Sequence, residues 1–200
     1  PLATSRRRAR PSARPCRPWD RNRDGISIGE AAGFALLERA PRGHGAVALT
    51  GFGESSDGFH MTAPHPEGEG ARVAIDQALR RAGLAAADID YVNLHGSGTP
   101  SNDRSEDAAI ASVFGGACAS SSTKGWTGHT QGAAGITEAV LSFLCMRANL
   151  VPSTLNTTDP DPELRTDVAL ENQERPLRRV LSNSFGFGGN NCALIFEAVQ

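Results

Sequence analysis

Short apolar runs and alternating apolar and polar positions mark four stretches of the chain as extended. Residues 25–38 (GISIGEAAGFALLE) and 45–53 (GAVALTGFG) combine alternation with small residues. Residues 89–95 (IDYVNLH) form an apolar run that leads into a Gly/Ser/Thr/Pro loop, and residues 178–199 hold two runs joined by glycines. We predict strands in all four stretches and a closing hairpin in the last.

Three stretches between these strands carry the periodicity of helices. Residues 67–84 place apolar side chains among charges and end at Gly-Leu, which is typical of a surface helix. Residues 101–115 begin with Ser101 and Asn102, either of which suits an N-cap, and carry acidic residues in the first turn. Because strands and helices alternate, the pattern predicts one layered α/β fold.

The third helical stretch, residues 132–150, is the most apolar of the chain. Its apolar positions form one stripe with two further residues beside it: Ile136, Val140, Phe143 and Leu144, then Leu141 and Cys145. A helix this apolar is expected to be buried on several sides, as in a layer between two sheets. Glu138 lies within it, where an unpaired carboxylate is costly, so we expect either Lys124 as its partner or a solvent-facing side chain.

Composition and charge exclude several classes of protein. The formal net charge is −2 in 200 residues, which gives no electrostatic reason to expect nucleic acid or an anionic membrane as partner. No apolar run approaches the roughly 20 residues of a membrane span. The N-terminus has no apolar signal-peptide core, so we expect a cytoplasmic protein. The four cysteines are widely spaced, which fits neither a zinc set nor a disulfide framework, and we expect no metal site.

The stretch WDRNRDG imitates a calcium loop, since Asp20, Asn22 and Asp24 alternate before Gly25. An EF-hand loop needs a bidentate Glu at its twelfth position, which is Ala31 here. The prolines upstream also prevent an entering helix. A turn that leads into a strand is therefore the better interpretation.

Residues 1–17 contain no periodicity and almost nothing to bury, and we predict that they are disordered. A basic arm for a partner is the alternative. The chain begins at Pro1 rather than Met. We therefore hypothesise a truncated or frame-shifted protein with an out-of-frame leader, whose domain occupies residues 18–200.

Three loops combine polar side chains with glycines at the ends of predicted elements. They are HGSGTPSND with His95, STKGWTGHTQGAAG with Lys124 and His129, and SNSFGFGG. Gly-rich loops let a backbone approach a ligand closely, so both histidines are catalytic candidates, although a lone histidine is more often structural. Lys124 is the one lysine among 20 basic residues, by chance or because its site needs a compact ammonium. The last loop leads into a strand, not a helix, which excludes a dinucleotide fingerprint.

Four motifs taken together resemble the β-ketoacyl-acyl carrier protein synthases, in the order and spacing of that family's C-terminal half. They are RPWDRNRDGISIGEAAG, VNLHGSGTPSNDRSE, STKGWTGHTQGAAG and SNSFGFGGNN, and the match spans residues 18–200. The resemblance implies the C-terminal half of a thiolase-like layered α/β/α/β/α fold. It also implies decarboxylative condensation of malonyl-carrier protein with an acyl thioester, in fatty acid or polyketide-type synthesis.

The resemblance also implies a role for each matching residue. It makes His95 and His129 the pair that donates to the malonyl thioester oxygen, supported by the ion pair of Lys124 and Glu138. The expected substrate-binding residues are Ser97 and Thr99 for the pantetheine arm, Phe187 for the acyl oxyanion hole and pocket gate, and Phe185 beside it. Three positions depart from the common motifs: Ser97 and Asn190 stand where threonine is common, and Trp126 favours a specialised or polyketide-type synthase.

The family's nucleophilic cysteine has no counterpart in the chain. Cys118 imitates its elbow in GACASSS, but no helix is predicted to start after it, and Cys145 and Cys192 fall in core elements. We expect the chain alone to be inactive and poorly stable. The expected partners are acyl carrier protein and a second synthase subunit in a homodimer or heterodimer, with no cofactor beyond the carrier's phosphopantetheine. A non-catalytic subunit similar to a chain-length factor, or an inactive remnant, is the alternative.

Overall fold

The computed structural model describes residues 12–39 and 47–199. The strands are β1 (Val47–Ser56), β2 (Tyr91–Asn93), β3 (Ala119–Ser121), β4 (Leu150–Val151), β5 (Gln173–Glu174), β6 (Arg179–Gly186) and β7 (Asn190–Ala198). The α-helices are α1 (Glu69–Ala82), α2 (Pro100–Phe114), α3 (Lys124–Thr127) and α4 (Ala134–Ala148). In these two ranges no helix is long and apolar enough to cross a membrane.

A five-stranded mixed sheet in the order β1-β7-β6-β2-β3 forms the centre of the fold. β2 is parallel to both β3 and β6, whereas β7 is antiparallel to β6 and β1. The strand–helix alternation of the sequence therefore predicted the α/β class correctly. The closing hairpin is confirmed too, since Arg179 pairs with Glu197 and Gly186 with Asn190.

Helices cover both faces of this sheet. α1 and α2 pack on one face, in a core that includes Ile75, Ile110 and Leu181. α4 packs on the other face, where Met146 contacts the cluster around Tyr91. The result is three layers, α/β/α, within the described residues.

The first helix lies very close to the first strand because the strand presents glycines to it. A Cβ on Gly53 would lie 1.8 Å from the carbonyl oxygen of Ala74, and one on Gly51 would lie 2.3 Å from that of Ala78. The buried face of α1 is correspondingly rich in alanine. Gly83 in the left-handed conformation ends the helix, as its Gly-Leu signal predicts.

The prediction of a strand at residues 25–38 is wrong, because no strand forms there. Ile26 and Ile28 are single bridge positions, the latter parallel to His129, and the rest of the segment is irregular. Phe34 is 96% exposed, and Leu36 and Leu37 are exposed as well. The alternation is that of a strand, but no strand of the described chain lies beside this segment to pair with it.

The apolar helix α4 also differs from its prediction. Ala139, Ser142 and Met146 face the sheet, whereas Val140 and Leu144 of the predicted stripe are exposed. The expected burial on several sides is therefore wrong for the described chain. Composition predicted an apolar helix, but it could not say how many sides have a neighbour.

Two predicted boundaries need correction. The N-cap of α2 is Thr99, not Ser101 or Asn102, because the Thr99 hydroxyl accepts the N–H of Asn102 and Pro100 takes the first helical position. Residues 12–17 are ordered, with Cys16 buried and its N–H donated to Ser27 Oγ, so the disorder predicted for residues 1–17 is wrong for this part. The remainder of that leader, residues 1–11, lies outside the described residues.

Candidate active site

A cleft of about 1030 Å³ opens where β1, β2 and β6 end. Six of the predicted site residues line it: His95, Ser97, Thr99, His129, Phe185 and Phe187. The other two, Lys124 and Glu138, are buried and do not line the cleft. The fold thus brings together residues that lie up to 92 positions apart in the sequence (187 − 95).

His95 lies two residues after the end of β2, and a buried carboxylate holds its backbone. Its N–H donates to Glu106 Oε1 at 2.8 Å, and the N–H of Gly96 donates to Oε2 at 2.8 Å. Glu106 belongs to α2, and Asn183 of β6 donates to the same carboxylate at 3.2 Å. One side chain therefore ties the His95 loop (residues 95–99) to both a helix and the sheet.

Lys124 lies behind His95, and its ammonium has three partners. It forms a buried salt bridge with Glu138 of α4 and donates to the carbonyl oxygen of His95. Its Nζ lies 3.4 Å from His95 Nδ1. The predicted Lys124–Glu138 ion pair is therefore present. Burial raises the pKa of Glu138 to about 6, and Lys124 opposes that rise.

The lysine decides which ring nitrogen of His95 carries the proton. An ammonium can only donate, so Nδ1 must accept and the proton of the neutral ring lies on Nε2. Burial and the charge of Lys124 hold the pKa of His95 well below its ordinary value, so the ring is neutral at physiological pH. His95 therefore has an Nε2–H available as a hydrogen-bond donor.

His129 reaches the same state through backbone contacts. Its N–H donates to the carbonyl of Ser27 at 2.6 Å, and its carbonyl accepts the N–H of Gly29 at 3.1 Å. The N–H of Gln131 donates to His129 Nδ1 at 3.1 Å, which again leaves the proton on Nε2. Burial first, and then Lys124, lower the pKa of His129 to about 4.

The two imidazoles lie edge to face beside each other. Their ring centroids are 5.2 Å apart with an interplanar angle of 79°. Phe185 also lies beside His95, with 5.7 Å between the ring centroids. The site therefore presents two neutral N–H donors over one cleft, next to an aromatic wall.

The hydroxyls of Ser97 and Thr99 lie 3.0 Å apart at the cleft. The backbone between them is fixed by Asp103 of α2, whose Oδ1 accepts the N–H of Gly98 at 3.2 Å. Gly98 has a φ of 76°, a conformation that favours glycine. Burial raises the pKa of Asp103, while the nearby Arg23 and the backbone donors lower it.

The turn between β6 and β7 forms another part of the cleft wall. Phe187 is 63% exposed there, and Asn190 Nδ2 donates to its carbonyl oxygen at 3.0 Å. The N–H of Gly188 donates to the carbonyl oxygen of Met61 at 2.8 Å, and the carbonyl oxygen of Gly189 accepts the N–H of Asp57 at 2.8 Å. Asn190, which departs from the common motif, thus makes a defined hydrogen bond within the turn.

Sequence reasoning missed the two carboxylates that hold the His95 loop. We assigned the acidic residues of α2 to its first turn, where they favour the helix dipole, but Asp103 and Glu106 are buried. Their spacing carried a signal: with Ile110 and Phe114 they repeat every three or four residues on one helix face. Carboxylates on an otherwise apolar face indicate buried partners.

The stretch that imitates a calcium loop is a turn whose first carboxylate is already occupied. Asp20 accepts the backbone N–H groups of Asn22 at 2.8 Å, Thr158 at 3.0 Å and Asp159 at 3.1 Å. Burial alone would raise the pKa of Asp20, but these donors outweigh it and lower the pKa. The predicted turn is confirmed, although the strand predicted to follow it is not present, and the carboxylate joins residues 20–22 to residues 158–159.

All four cysteines lack the environment of a reactive thiolate. Burial raises the pKa of Cys118 to about 12 and those of Cys16 and Cys145 to about 11, and it also raises the pKa of Cys192. Cys192 is half-buried and lines the cleft, which corrects our placement of it in the core. No group of His, Cys, Asp or Glu in residues 12–39 and 47–199 has the geometry to hold a metal ion.

Comparison with known proteins agrees with this geometry. The family model described as "Beta-ketoacyl synthase, C-terminal domain" matches residues 46–158. The 3-oxoacyl-[acyl-carrier-protein] synthase 2 of Coxiella burnetii is 43% identical over 192 residues, which is 92% of this chain and 46% of that protein. Its counterpart from Rhizobium meliloti is 44% identical over 190 residues, 90% of this chain and 45% of the relative.

A solved structure shares the fold as well. It is a ketosynthase in complex with its chain length factor from Xenorhabdus doucetiae, with a TM-score of 0.82 and 41% identity over 94% of this chain and 47% of the matched one. The three-layer fold is thus that of the thiolase-like ketosynthases. The chain belongs to the β-ketoacyl synthase family, as the resemblance of its motifs indicated. It spans about half the length of the curated relatives it matches.

Proposed function

We propose that this chain supplies the decarboxylating half of a 3-oxoacyl-acyl carrier protein synthase. The reaction is a decarboxylative condensation of a malonyl thioester with an acyl thioester, an acyl transfer in fatty acid or polyketide-type synthesis. The observation that carries the proposal is the pair of neutral histidines, His95 and His129, whose Nδ1 atoms are both engaged as acceptors. Both therefore keep an Nε2–H donor for the cleft.

The chemistry needs two such donors at one oxygen. When a malonyl thioester loses carbon dioxide, the electrons of the breaking C–C bond move into the thioester and its oxygen becomes an enolate. Preorganised N–H donors at that oxygen stabilise the charge as it develops, and removing one donor of this kind costs about 10²–10³ in rate. The carbanion then attacks the carbonyl carbon of an acyl thioester, so that a C–C bond forms and the acyl C–S bond breaks with release of the thiolate, or it takes a proton from water when no acyl group is present.

The supporting groups have separate tasks in this proposal. Lys124, paired with Glu138, donates to His95 Nδ1 and so keeps the proton on the nitrogen that faces the substrate. Ser97 and Thr99 bind the pantetheine arm of acyl carrier protein. The backbone N–H of Phe187 stabilises the acyl oxyanion and its ring gates the pocket, with Phe185 beside it.

The acyl-enzyme step is not assigned to this chain, because burial raises the pKa of each of its cysteines. The thiolate that carries the acyl group would come from another part of the assembly, so the expected partners are acyl carrier protein and a further synthase region or subunit. No cofactor beyond the carrier's phosphopantetheine is needed for these steps. The cytoplasmic location stays a prediction from the sequence.

A non-catalytic subunit similar to a chain-length factor is the second candidate, because the similar structure from Xenorhabdus doucetiae contains such a factor. The complete arrangement of His95, His129 and Lys124 favours catalysis, since a non-catalytic subunit has no use for two neutral donors. The two candidates differ in whether the histidines accelerate decarboxylation.

The test is release of carbon dioxide from malonyl-pantetheine and malonyl-acyl carrier protein by the chain. The chain alone lacks the nucleophile for the complete condensation, but this half-reaction needs only the two histidines. We expect decarboxylation above the protein-free rate, reduced about 10²–10³-fold in His95→Ala and in His129→Ala. Arg104→Ala, which removes an exposed ion pair with Glu163, is the matched control and should keep the rate. A folded chain that releases no carbon dioxide, or histidine variants as fast as the wild type, would exclude the catalytic proposal.

A chimera tests the complete reaction. The chain is joined behind the first part of the Coxiella burnetii relative, in place of the 46% of that protein that it matches. We expect 3-oxoacyl-carrier protein to form, and His129→Ala to abolish it. A folded chimera that decarboxylates but never condenses would restrict the proposal to the first step.

A further inference from the structure

The turn WDRNRDG packs against the His95 loop, and Asp103 joins the two segments. Asp103 Oδ2 accepts the backbone N–H of Trp19 at 3.0 Å, while its Oδ1 accepts that of Gly98 at 3.2 Å. A second contact runs directly between the segments, since the N–H of Gly25 donates to the carbonyl of Gly98 at 3.1 Å. The conformation of the loop between Ser97 and Thr99 therefore depends on this carboxylate and on the turn.

Arg23 is the buried cation of this arrangement. Its side chain is 2% exposed, and its Nε lies 3.4 Å from Asp103 Oδ2. Its Nη1 donates to Asp161 Oδ2 at 2.7 Å and to the carbonyl of Asp20 at 2.8 Å. Because a buried carboxylate without a partner is costly, the guanidinium is the cationic partner that offsets the burial of Asp103 at this point.

The support of the His95 loop is thus divided between two carboxylates of α2. Glu106 holds the N–H groups of His95 and Gly96. Asp103, paired with Arg23, holds Gly98 between the two hydroxyls. The first carboxylate acts on the proton donor, whereas the second acts on the part of the loop that faces the arm of the substrate.

We propose that Arg23 is a positioning residue for the substrate arm, because it holds Asp103 against the Gly98 amide and so aims the Ser97 and Thr99 hydroxyls at pantetheine. The identity of that ligand rests on the proposed function. Arg23 touches no substrate atom itself. Its removal should therefore weaken binding of the arm far more than it slows decarboxylation of bound substrate.

The experiment compares Arg23→Met with Arg21→Met. Arg21 lies in the same turn, but it is 56% exposed and pairs with an exposed Asp159, so it is the matched control. Isothermal titration calorimetry gives the Kd for pantetheine, and carbon dioxide release gives kcat for malonyl-pantetheine. We expect the R23M Kd to rise about tenfold with kcat changed by less than about threefold, and the R21M values to match the wild type.

A truncated substrate separates positioning from a general loss of structure. The malonyl thioester of ethanethiol has no amides for the hydroxyls to bind. We expect R23M to lower kcat/KM about tenfold for malonyl-pantetheine and less than about twofold for the ethyl thioester. Amide hydrogen exchange should show faster exchange at Gly98 with unchanged exchange at His95 and Gly96.

Arg23→Lys carries the test if R23M does not fold, since it keeps the charge but loses the fork that reaches both carboxylates. We expect the R23K Kd for pantetheine to lie between the wild-type value and the tenfold higher value expected for R23M. Equal losses on both thioesters, an unchanged Kd in a folded variant, or a wild type that does not bind pantetheine would each overturn the inference. One result would refute the proposed function and still support the role of Arg23. In that result the wild-type chain binds pantetheine but releases no carbon dioxide, and R23K binds pantetheine more weakly than the wild type.

Discussion

The two histidines of the cleft reach the same protonation state by different means. His95 is held by buried side chains, with Lys124 at Nδ1 and Glu106 at its backbone N–H. His129 is held by main-chain groups, with Gln131 N–H at Nδ1 and Ser27 and Gly29 at its peptide. The environment of His95 therefore depends on buried charges, and that of His129 on how closely two backbone segments approach.

This difference predicts which substitutions and pH changes should disturb each of the two histidines. The folded protein is strongly destabilised when one member of a buried ion pair is lost, and the contribution of the pair to stability changes with pH. A backbone contact responds little to pH but does not tolerate a side chain placed between the segments. Four predictions test this division, starting with the largest expected effect.

Lys124→Met should have the largest effect, because it leaves Glu138 buried in the core without its partner. We expect a loss of about 3–5 kcal/mol in the free energy of unfolding, measured in urea. The pKa values of His95 and His129 should both rise, since Lys124 is one of the groups that lower each of them, whereas His129 should keep its Nε2–H tautomer. Nitrogen NMR of the imidazoles measures both effects.

The double variant Lys124→Met with Glu138→Met controls for this result. It removes both charges and should recover more than half of the lost stability. If K124M alone is as stable as the wild type, the pair does not stabilise the region around His95 in the way we describe.

Glu106→Gln should reduce the loss of folding stability that occurs as pH rises from 5 to 8. Burial raises the pKa of Glu106 from its ordinary value of 4.5 to about 7, so the folded chain binds more protons than the unfolded chain between these pH values. Wild-type stability attributable to this group is therefore present below pH 4.5 and is lost as pH rises toward 7. Relative to the wild type, E106Q should gain up to about 3 kcal/mol between pH 5 and pH 8.

Urea titrations at both pH values give this difference. Protonation of the two histidines, whose pKa values are lowered, destabilises the fold as pH falls, but both proteins share that effect and it cancels. A difference between the proteins that stays constant from pH 5 to pH 8 would mean that Glu106 does not titrate in this range.

Gly29→Ala should affect the His129 side alone. Its Cβ would lie 2.1 Å from the carbonyl oxygen of Thr127, a backbone atom that cannot turn away. We expect a loss of about 1–3 kcal/mol and a changed NMR signal of His129 with that of His95 unaltered. Gly132→Ala, where a Cβ would meet nothing within 4 Å, is the control. Equal perturbation of both histidines would show that the two supports are not separate.

Thr99→Val should have the smallest effect. It keeps the branched shape but removes the hydroxyl that accepts the N–H of Asn102 at 3.4 Å, so we expect a loss of about 0.5–1 kcal/mol. Thr99→Ser keeps the cap and should lie within about 0.5 kcal/mol of the wild type. Thermal unfolding of the three proteins decides this, and an equal loss in both variants would indicate that the methyl group matters rather than the cap.

The sequence by itself determined the local features of this protein. Periodicity located the three long helices and the closing hairpin, because these patterns follow from which side of an element meets water. The motifs around His95, Lys124 and His129 indicated the family, and Glu138 within an apolar helix predicted its pairing with Lys124. Each of these inferences rests on nearby residues or on a charge that must be neutralised.

Only the tertiary structure decided what depends on neighbours distant in the chain. Among residues 12–39 and 47–199, the strand pattern of residues 25–38 has no partner strand to pair with, and the apolar stripe of α4 has no second sheet to cover it. The burial of Asp103 and Glu106 became visible only when α2 packed against the sheet. Alternation and hydropathy describe what a segment can bury, but a segment is buried only where the fold brings another surface against it.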